Sequence, residues 1–418
     1  FAWAAELRQA SPEELAILFP SGVVQDDLFF WYGAAEQIDR IYTEISGAGL
    51  TFGQVAEVCA GRGGFDDQRR WRVLERVHQG YLKRLSESGF GDLHEERRQA
   101  FEEGRLGLKG DLYLVCTVDL PPLFCRMLSK TEGRICALIH APQERSEDFD
   151  EFGCLKVPAW QKAGIDISSE QVVFCEDPPD QARRIADYVC PAACENGAQP
   201  PGVTIGAADA SAIPYLIEEF GSRGLSLHDA GGVAFTTTPI SHFINALAQF
   251  IESRAWRDLA TLVRCRAVLE RMVEALQAEG WAISQAELLA ALDRFHSRHL
   301  PARFGYMGEL VGEEVELAGE VYTTLCRILE PFVPDALPEK RSFAEWLGEL
   351  ATLLATIYGS VPLKRNSSYQ QLLIESCKRI QELLEETLRV LPSSLPELDG
   401  ASALKFVSKV LEAEDINI

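Results

Sequence analysis

One residue that could carry chemistry is Asp119, which follows an apolar stretch and precedes a proline turn. Residues 111–128 read DLYLVCTVDLPPLFCRML, a pattern that predicts a strand, a Leu-Pro-Pro turn and a helix. A carboxylate at the end of a strand can hold Mg²⁺ when other oxygen ligands join it, or it can cap the helix that follows. A single carboxylate holds hydrated Mg²⁺ poorly, so the sequence favours the capping role for Asp119.

A second pattern concerns arginine. Arg257, Arg264 and Arg271 are seven residues apart, so on one continuous helix they lie along a single narrow stripe that contains no acid. In a chain this acidic, such a stripe is a candidate contact for phosphate or for a partner protein. The alternative is a solvated face balanced by acids from neighbouring helices. Arg183 and Arg184 form a second, weaker candidate of the same kind.

The histidines and cysteines do not predict a metal site. His296 and His299 have a spacing that can bind metal on a helix, but their place before Pro301 is typical of a solvated pair at a helix C-terminus. The chain has 11 cysteines without a regular framework, which is typical of a reduced cytoplasmic protein. No Ser, Cys or Lys has neighbours suited to nucleophilic catalysis. We therefore expect no metal, no cofactor and no catalytic residue.

Composition narrows the class of protein. A chain of 418 residues with 47% hydrophobic and 25% charged residues is expected to form two or three globular domains. No stretch approaches the ~20 apolar residues of a membrane span, so no membrane partner is expected. The net charge of −23 argues against wholesale wrapping of nucleic acid. It leaves open a local basic channel, or an acidic domain that docks on a DNA-handling partner.

The elements that position these residues change character along the chain. Residues 1–110 read as a helical subdomain. Short apolar strands then alternate with helices, which predicts an α/β fold with parallel sheet. The predicted strands are 112–117, 134–139, 171–175, 203–205 and 225–227. They assign 111–170 to one α/β lobe and 171–240 to a second. Residues 241–418 read as a large helical insertion, in which 240–277 is predicted as one long amphipathic segment.

Superfamily 1 helicases carry an element similar to residues 111–128. It runs from a strand through D-E-x-Q-D-L-[TS]-P to a helix, and its first Asp and Glu hold magnesium and activate water. Aligned on Asp119, these two Walker B positions are Val115 and Cys116, which can do neither. The phosphate loop G-x-x-x-x-G-K-[ST] is absent as well, because the dipeptide Gly-Lys does not occur.

This element and four later segments, read in order, resemble the B subunit of bacterial ATP-dependent helicase/deoxyribonucleases (the AddB type), an inactivated superfamily 1 helicase with a nuclease tail. The four segments are ICALIHAPQERSEDFDEFGCLKVPAW, VVFCEDPPDQARRIADYV, VTIGAADASAIPYLIEEFGSRGLSLHDAGGVAFTTTPISHFINAL and DLATLVRCRAV. The resemblance covers approximately residues 65–270. It implies two small RecA-like parallel-sheet lobes with large helical insertions.

The resemblance also implies a function. The chain would be the non-catalytic, helicase-like region of a helicase–nuclease subunit that binds DNA, as a single strand or a duplex end. It would dock on a helicase motor subunit during double-strand-break end processing and recombinational repair in the bacterial cytoplasm. The family's return strand and nuclease domain are missing, which suggests the interior of a longer protein. Pro334-Asp335 with Glu339 and Arg341 superficially resembles a PD-(D/E)XK site, but a Pro-rich turn cannot assemble one.

Two alternatives remain open at this point. The chain could be a stand-alone protein-interaction scaffold with a degenerate helicase fold. It could also be part of a PD-(D/E)XK nuclease whose active site lies outside these residues. Salt-dependent binding to single-stranded or forked DNA separates the first alternative from the DNA-binding hypothesis.

Overall fold

The computed structural model describes residues 1–25, 27–60, 67–105, 110–164, 167–195, 203–303, 312–333, 340–359 and 367–416. The fold divides into two compact units. Unit 1 combines Phe1–Trp160 with Ala234–Glu414, and unit 2 contains Gln161–Val233 together with the residues from Asp415 onward. The predicted region 1–110 and residues 241–414 of the predicted region 241–418 thus share one unit, whereas most of the predicted second lobe belongs to the other.

The N-terminal helices of unit 1 are α1 Ala2–Leu7, α2 Pro12–Leu18, α3 Leu28–Gly47, α4 Phe52–Cys59, α5 Gln68–Glu87 and α6 Leu93–Glu102. Side chains cap the first turns of α2 and α3. Ser11 caps α2 in a capping box with Glu14, and Asp27 caps α3 through two backbone N–H groups. An aromatic-rich core that includes Trp3, Tyr42 and Phe52 holds these helices together. The helical character predicted for this region is confirmed.

A small parallel sheet follows these helices. Strands β1 Leu112–Val115 and β2 Ile135–Leu138 pair in parallel, and α7 Pro122–Ser129 connects them. Leu114, Leu128 and Phe152 bury one face of this sheet. The opposite face is open: Tyr113 is 55% exposed and Val115 64% exposed. The strand–turn–helix predicted from the sequence is confirmed, and the short helix α8 Val157–Trp160 lies beyond it.

Unit 2 contains α9 Pro178–Glu195 and α10 Ile213–Ser222. The strands predicted at 171–175, 203–205 and 225–227 are wrong, because these described residues form no strand. Apolar residues of the last two segments pack against both helices instead, around a core of Ala182, Ala186, Leu216 and Phe220 with Ile205, Leu225 and Leu227 beside it. Burial against helices thus explains their apolar pattern without sheet hydrogen bonds.

The C-terminal helices of unit 1 are α11 Pro239–Ser253, α12 Trp256–Val263, α13 Arg266–Ala278, α14 Gln285–His299, α15 Glu313–Ile328, α16 Phe343–Tyr358, α17 Ser368–Leu388 and α18 Gly400–Val410. Four further strands have two residues each: β3 Val233–Ala234, β4 Arg341–Ser342, β5 Glu397–Leu398 and β6 Asp415–Ile416. Strands β4 and β5 pair in antiparallel orientation. Helix α11 is the centre of this region, with Phe243, Leu247 and Phe250 fully buried, and α18 packs against it.

The protein is therefore mostly helical, with parallel pairing between β1 and β2. Throughout the described ranges, no helix has both the length and the apolar content that crossing a membrane requires.

Candidate functional site

The end of β1 carries the three residues aligned with the helicase element. Val115 ends the strand, and Cys116 adopts a left-handed backbone conformation with φ of 52° while its N–H donates to the carbonyl of Leu138 at 2.8 Å. Asp119 lies exposed in the turn. The predicted capping role of Asp119 is wrong, because the N-cap of α7 is Pro121 and no side chain hydrogen-bonds there. A proline at the start of a helix lacks an N–H that would need a partner, so the turn tolerates this arrangement.

The carboxylates of Asp119 and Asp150 lie near Cys125 at this end of the sheet. Burial and the negative charges of Asp150 and Asp119 raise the pKa of the Cys125 thiol above its ordinary value. Asp150 is engaged in its own turn, where its Oδ1 accepts from the backbone N–H groups of Phe152 and Cys154, each at 2.9 Å. Among the described residues, no group of three or more His, Cys, Asp or Glu side chains is arranged to hold a metal ion. The carboxylate of Asp150 thus stabilises the turn in which it lies.

The arginine stripe is not formed. The segment predicted as one helix breaks at Arg254, which has φ of 50°, and again at Cys265, which is extended. Arg257 therefore lies in the first turn of α12, Arg264 caps the end of α12, and Arg271 lies on α13. The first break is a tertiary effect, because Ala255 forms a β-bridge with Arg303 and no Gly or Pro marks it in the sequence.

Each arginine of the predicted stripe has an acidic neighbour. The Nε of Arg257 lies 3.2 Å from an oxygen of Asp258, and Nη1 of Arg271 lies 3.1 Å from an oxygen of Glu274. Arg264 pairs with Asp293, which α14 supplies. The stripe itself contains no acid, but Asp258 and Glu274 lie close to it in the sequence, and the partner of Arg264 comes from another helix.

The second arginine candidate behaves in the same way. Arg183 and Arg184 lie on α9 and both pair with Asp180, at 2.5 Å and 3.5 Å. Both guanidinium side chains remain more than half exposed, at 60% and 55%. One carboxylate thus pairs with two arginines in this turn of α9.

A further group of positive side chains lies where α12 meets the end of α14, and the sequence singled out only part of it, namely Arg257 and the pair His296 and His299. Trp256 stacks on His296 with ring centroids 6.1 Å apart and packs on Phe295 at 5.1 Å, so the start of α12 lies against the last turns of α14. The backbone N–H of Trp256 also donates to the carbonyl of Ala302 at 3.1 Å. We call the basic residues around this junction the α12–α14 patch: Arg257, Arg294, Arg298, Arg303, His296 and His299.

Positive charge exceeds negative charge in the α12–α14 patch. The four arginines meet two carboxylates: Asp258, whose side chain is only 6% exposed, and Glu314, which Arg294 and Arg298 share at 3.6 Å each. Arg303 has no acidic partner among the described residues. Cations in the last turn of a helix also interact favourably with its dipole, so part of this cluster stabilises α14. The run RFHSRH was the sequence signal, with arginines four residues apart on one face.

No protein-family model that was searched matches this chain. Nor does any curated protein match it at a significant level. The similarity to helicase–nuclease subunits is confined to the sequence segments quoted under Sequence analysis.

Arg271, the third arginine of the predicted stripe, lies at the edge of a cavity of about 740 Å³. Arg271 lines it together with Arg327 from α15 and Arg341 from β4. Three glutamates line the same cavity, Glu279, Glu330 and Glu349, so its formal charges cancel. A balanced lining gives no general attraction for anions, and the cavity is a weaker phosphate site than the α12–α14 patch. The Pro334–Glu339 turn considered for nuclease chemistry lies outside the described residues.

Proposed function

We propose that this chain is a non-catalytic, helicase-like region that binds DNA through phosphate contacts and works with a motor subunit in double-strand-break end processing. The observation that carries the proposal is the strand–turn–helix of β1 and α7, paired in parallel with β2. It follows the order of the helicase element, but Val115 and Cys116 stand where magnesium-binding carboxylates are required. Retained topology without hydrolytic groups favours guidance of DNA over ATP turnover.

The RecA-like character of the two lobes belongs to the same proposal. For the first lobe, the support is the parallel β1–β2 pair with Leu114 and Leu128 buried on one face. For the second lobe, the predicted strands are not formed in the described residues, and only helices α9 and α10 lie in the predicted order along the chain. A parallel sheet is normally covered on both faces, so the open face at Tyr113 also fits an incomplete lobe.

The α12–α14 patch supplies the contact with DNA in this proposal. Exposed guanidinium groups form charge-assisted hydrogen bonds with phosphate oxygens, and this interaction requires no sequence recognition. The patch covers only a small part of the surface, so it is compatible with the net charge of −23. The remaining acidic surface repels the backbone of the nucleic acid. We expect binding to be weak, salt-dependent and independent of sequence.

The test is fluorescence anisotropy of a labelled single-stranded oligonucleotide at a series of salt concentrations from 50 to 200 mM. The variant reverses three charges of the α12–α14 patch: Arg257→Glu, Arg298→Glu and Arg303→Glu. Each single-strand phosphate contact contributes about 0.7 to the slope of log affinity against log salt, so three lost contacts lower that slope by about 2. The arginine side chains that are replaced are exposed, at 86% for Arg257 and 72% for Arg298, so we expect the thermal unfolding temperature to change little.

The matched control reverses the same number of charges on exposed residues of the N-terminal helical region: Lys83→Glu, Arg97→Glu and Arg105→Glu. It changes the net charge by the same amount, so it measures the long-range contribution alone. Equal slopes for the patch variant and the control would contradict the assignment of the patch. Absence of any salt-dependent binding by the wild-type chain at 50 mM salt would contradict DNA binding itself.

A second candidate function, the protein-interaction scaffold, is favoured by the open face of the small sheet. Tyr113, Val115 and Leu138 are 55%, 64% and 48% exposed, respectively, and clustered exposed apolar side chains are typical of docking surfaces. A scaffold requires no DNA contact. It predicts that Tyr113→Glu with Leu138→Glu abolishes comigration with a purified helicase motor subunit in size-exclusion chromatography, while the α12–α14 patch variant has no effect on either assay.

A further inference from the structure

The N-terminal helices of unit 1 enclose a histidine that has no hydrogen-bond partner. His78 on α5 is 1% exposed, and neither Nδ1 nor Nε2 finds a donor or acceptor. Its ring lies against three aromatic side chains from other helices: Trp3, stacked with centroids 5.7 Å apart, Tyr42 at 4.5 Å and Phe52 at 5.7 Å. The imidazole therefore occupies the centre of the contact between α5 and helices α1, α3 and α4.

The groups around this ring do not offer its proton a partner. Burial lowers the pKa of His78, and this effect exceeds the opposite influence of Glu75, Asp92 and Glu95. The carboxylate of Asp92 already accepts hydrogen bonds from Tyr42 and Tyr81. The charged groups that act on the ring are Glu75 on α5, Asp92 at the N-cap of α6, and Glu95 and Arg98 on α6, and the titratable rings beside it include Tyr42 on α3 and Tyr81 on α5.

We propose that His78 makes the N-terminal helix pack a proton-sensitive element, in which protonation of this buried ring opens the contacts of α5 with α1 and α3. The closed pack holds the neutral ring, because a charged imidazolium there would be buried without a hydrogen bond. The opened pack exposes the ring to water, where histidine takes a proton near pH 6.5. Acid therefore favours the opened form.

The size of the effect follows from one proton. Between the ordinary pKa of histidine and the lower value in the closed pack, the opened form binds one proton more than the closed form. The opening equilibrium then rises tenfold for each pH unit of acidification. Between pH 7.5 and pH 5.5 the increase can reach about tenfold, because titration of the exposed ring begins near pH 6.5 and the closed ring binds its proton only at a lower pH.

The experiment is amide hydrogen exchange of the full chain at pH 7.5 and pH 5.5, corrected for intrinsic exchange rates. Peptides from α1, α3 and α5 should open more at the lower pH, by up to about tenfold, whereas peptides from α11 should not change. His78→Phe keeps an aromatic ring but removes the titrating group, so opening of its helix pack should be the same at both pH values. Should phenylalanine be too large for folding, His78→Met takes its place.

The matched control is His94→Gln, which removes a half-buried histidine whose ring lies 5.3 Å from Tyr42. This variant should retain the wild-type change in opening. Equal opening of the wild-type pack at the two pH values would overturn the proposal. A wild-type change that persists in His78→Phe would also overturn it, because the proton would then bind elsewhere.

Discussion

Replacing Asp92 with alanine tests whether one buried carboxylate ties three N-terminal helices together. The carboxylate is 8% exposed by residue and accepts hydrogen bonds from the hydroxyl of Tyr42 at 2.7 Å, the hydroxyl of Tyr81 at 2.9 Å and the backbone N–H of Glu95 at 2.8 Å. These donors belong to α3, α5 and α6. Loss of the acceptor leaves two phenolic hydroxyls without their partner and removes the N-cap of α6.

The expected loss in the free energy of unfolding can be built from these contacts. An N-cap contributes about 1 kcal/mol, and a buried hydroxyl left without a partner costs about 1–3 kcal/mol. With partial relaxation around the small alanine side chain, the sum for Asp92→Ala is about 4 kcal/mol. Tyr42→Phe removes a single bond and should cost about 1.5 kcal/mol in the wild-type background. It should cost much less in the Asp92→Ala background, because the bond is already lost.

Urea unfolding at pH 7.5, followed by the intrinsic fluorescence of the seven tryptophans, measures these values. Trp3 contributes to this signal from the affected region, because its ring stacks on Tyr81 with centroids 4.0 Å apart. A loss below about 1 kcal/mol for Asp92→Ala would refute the reasoning. So would an equal cost of Tyr42→Phe in both backgrounds, since the two residues would then be energetically independent.

The same carboxylate predicts a pH dependence with a defined sign. Burial raises the pKa of Asp92, but hydrogen bonds from Tyr42, the Glu95 N–H and Tyr81 outweigh it and hold the pKa below its ordinary value. A depressed pKa in the folded state stabilises the fold above the unfolded value, near 3.9, and this contribution is lost as the pH falls through the folded value. Asp92→Asn should therefore unfold with a weaker pH dependence below about pH 4.

Three further predictions concern other regions. Trp256→Ala should cost about 3–5 kcal/mol in urea unfolding, because the ring is 3% exposed and packs between α12 and α14, and a loss below about 1 kcal/mol would contradict this packing. Burial raises the pKa of Cys265 to about 11. Iodoacetamide at pH 8 should therefore label the exposed Cys116 on the order of a hundredfold faster than Cys265, as measured by mass spectrometry. Equal labelling rates for the two thiols would contradict the burial of Cys265. The double variant Val115→Asp, Cys116→Glu should release no phosphate from Mg·ATP in a malachite-green assay, since the chain lacks a Gly-Lys phosphate loop, and measurable turnover would contradict the reading of β1.

Local signals in the sequence predicted the elements whose determinants are local. The Ser11 capping box opens α2 where expected, and the predicted helix 284–299 begins at its Ser284 N-cap and ends at His299. The strand–turn–helix before α7 is equally local, because apolar alternation and Pro-Pro specify both of its parts. These features could be assigned because the residues that form the contact lie within four positions of each other.

The errors arose where a distant residue decides the outcome. The breaks at Arg254 and Cys265 carry no Gly or Pro, and the first depends on a bridge from Ala255 to Arg303. The acid that pairs with Arg264 comes from α14, so helical periodicity alone could not reveal it. Segments 203–205 and 225–227 are apolar because they cover helices, and a short apolar run does not distinguish that environment from a strand.

The left-handed backbone at Cys116 separates residue 116 from the extended geometry of β1. Side chains alternate along an extended strand, and the paired acids of a working helicase depend on that alternation. With φ of 52°, residue 116 has left the extended conformation, so its side chain no longer follows the direction set by β1. A mutant library that varies only the side chains at positions 115 and 116 would leave the backbone conformation of residue 116 out of the search. Acidic side chains at positions 115 and 116 would therefore not reproduce the paired arrangement of a helicase unless the backbone of this turn also changed.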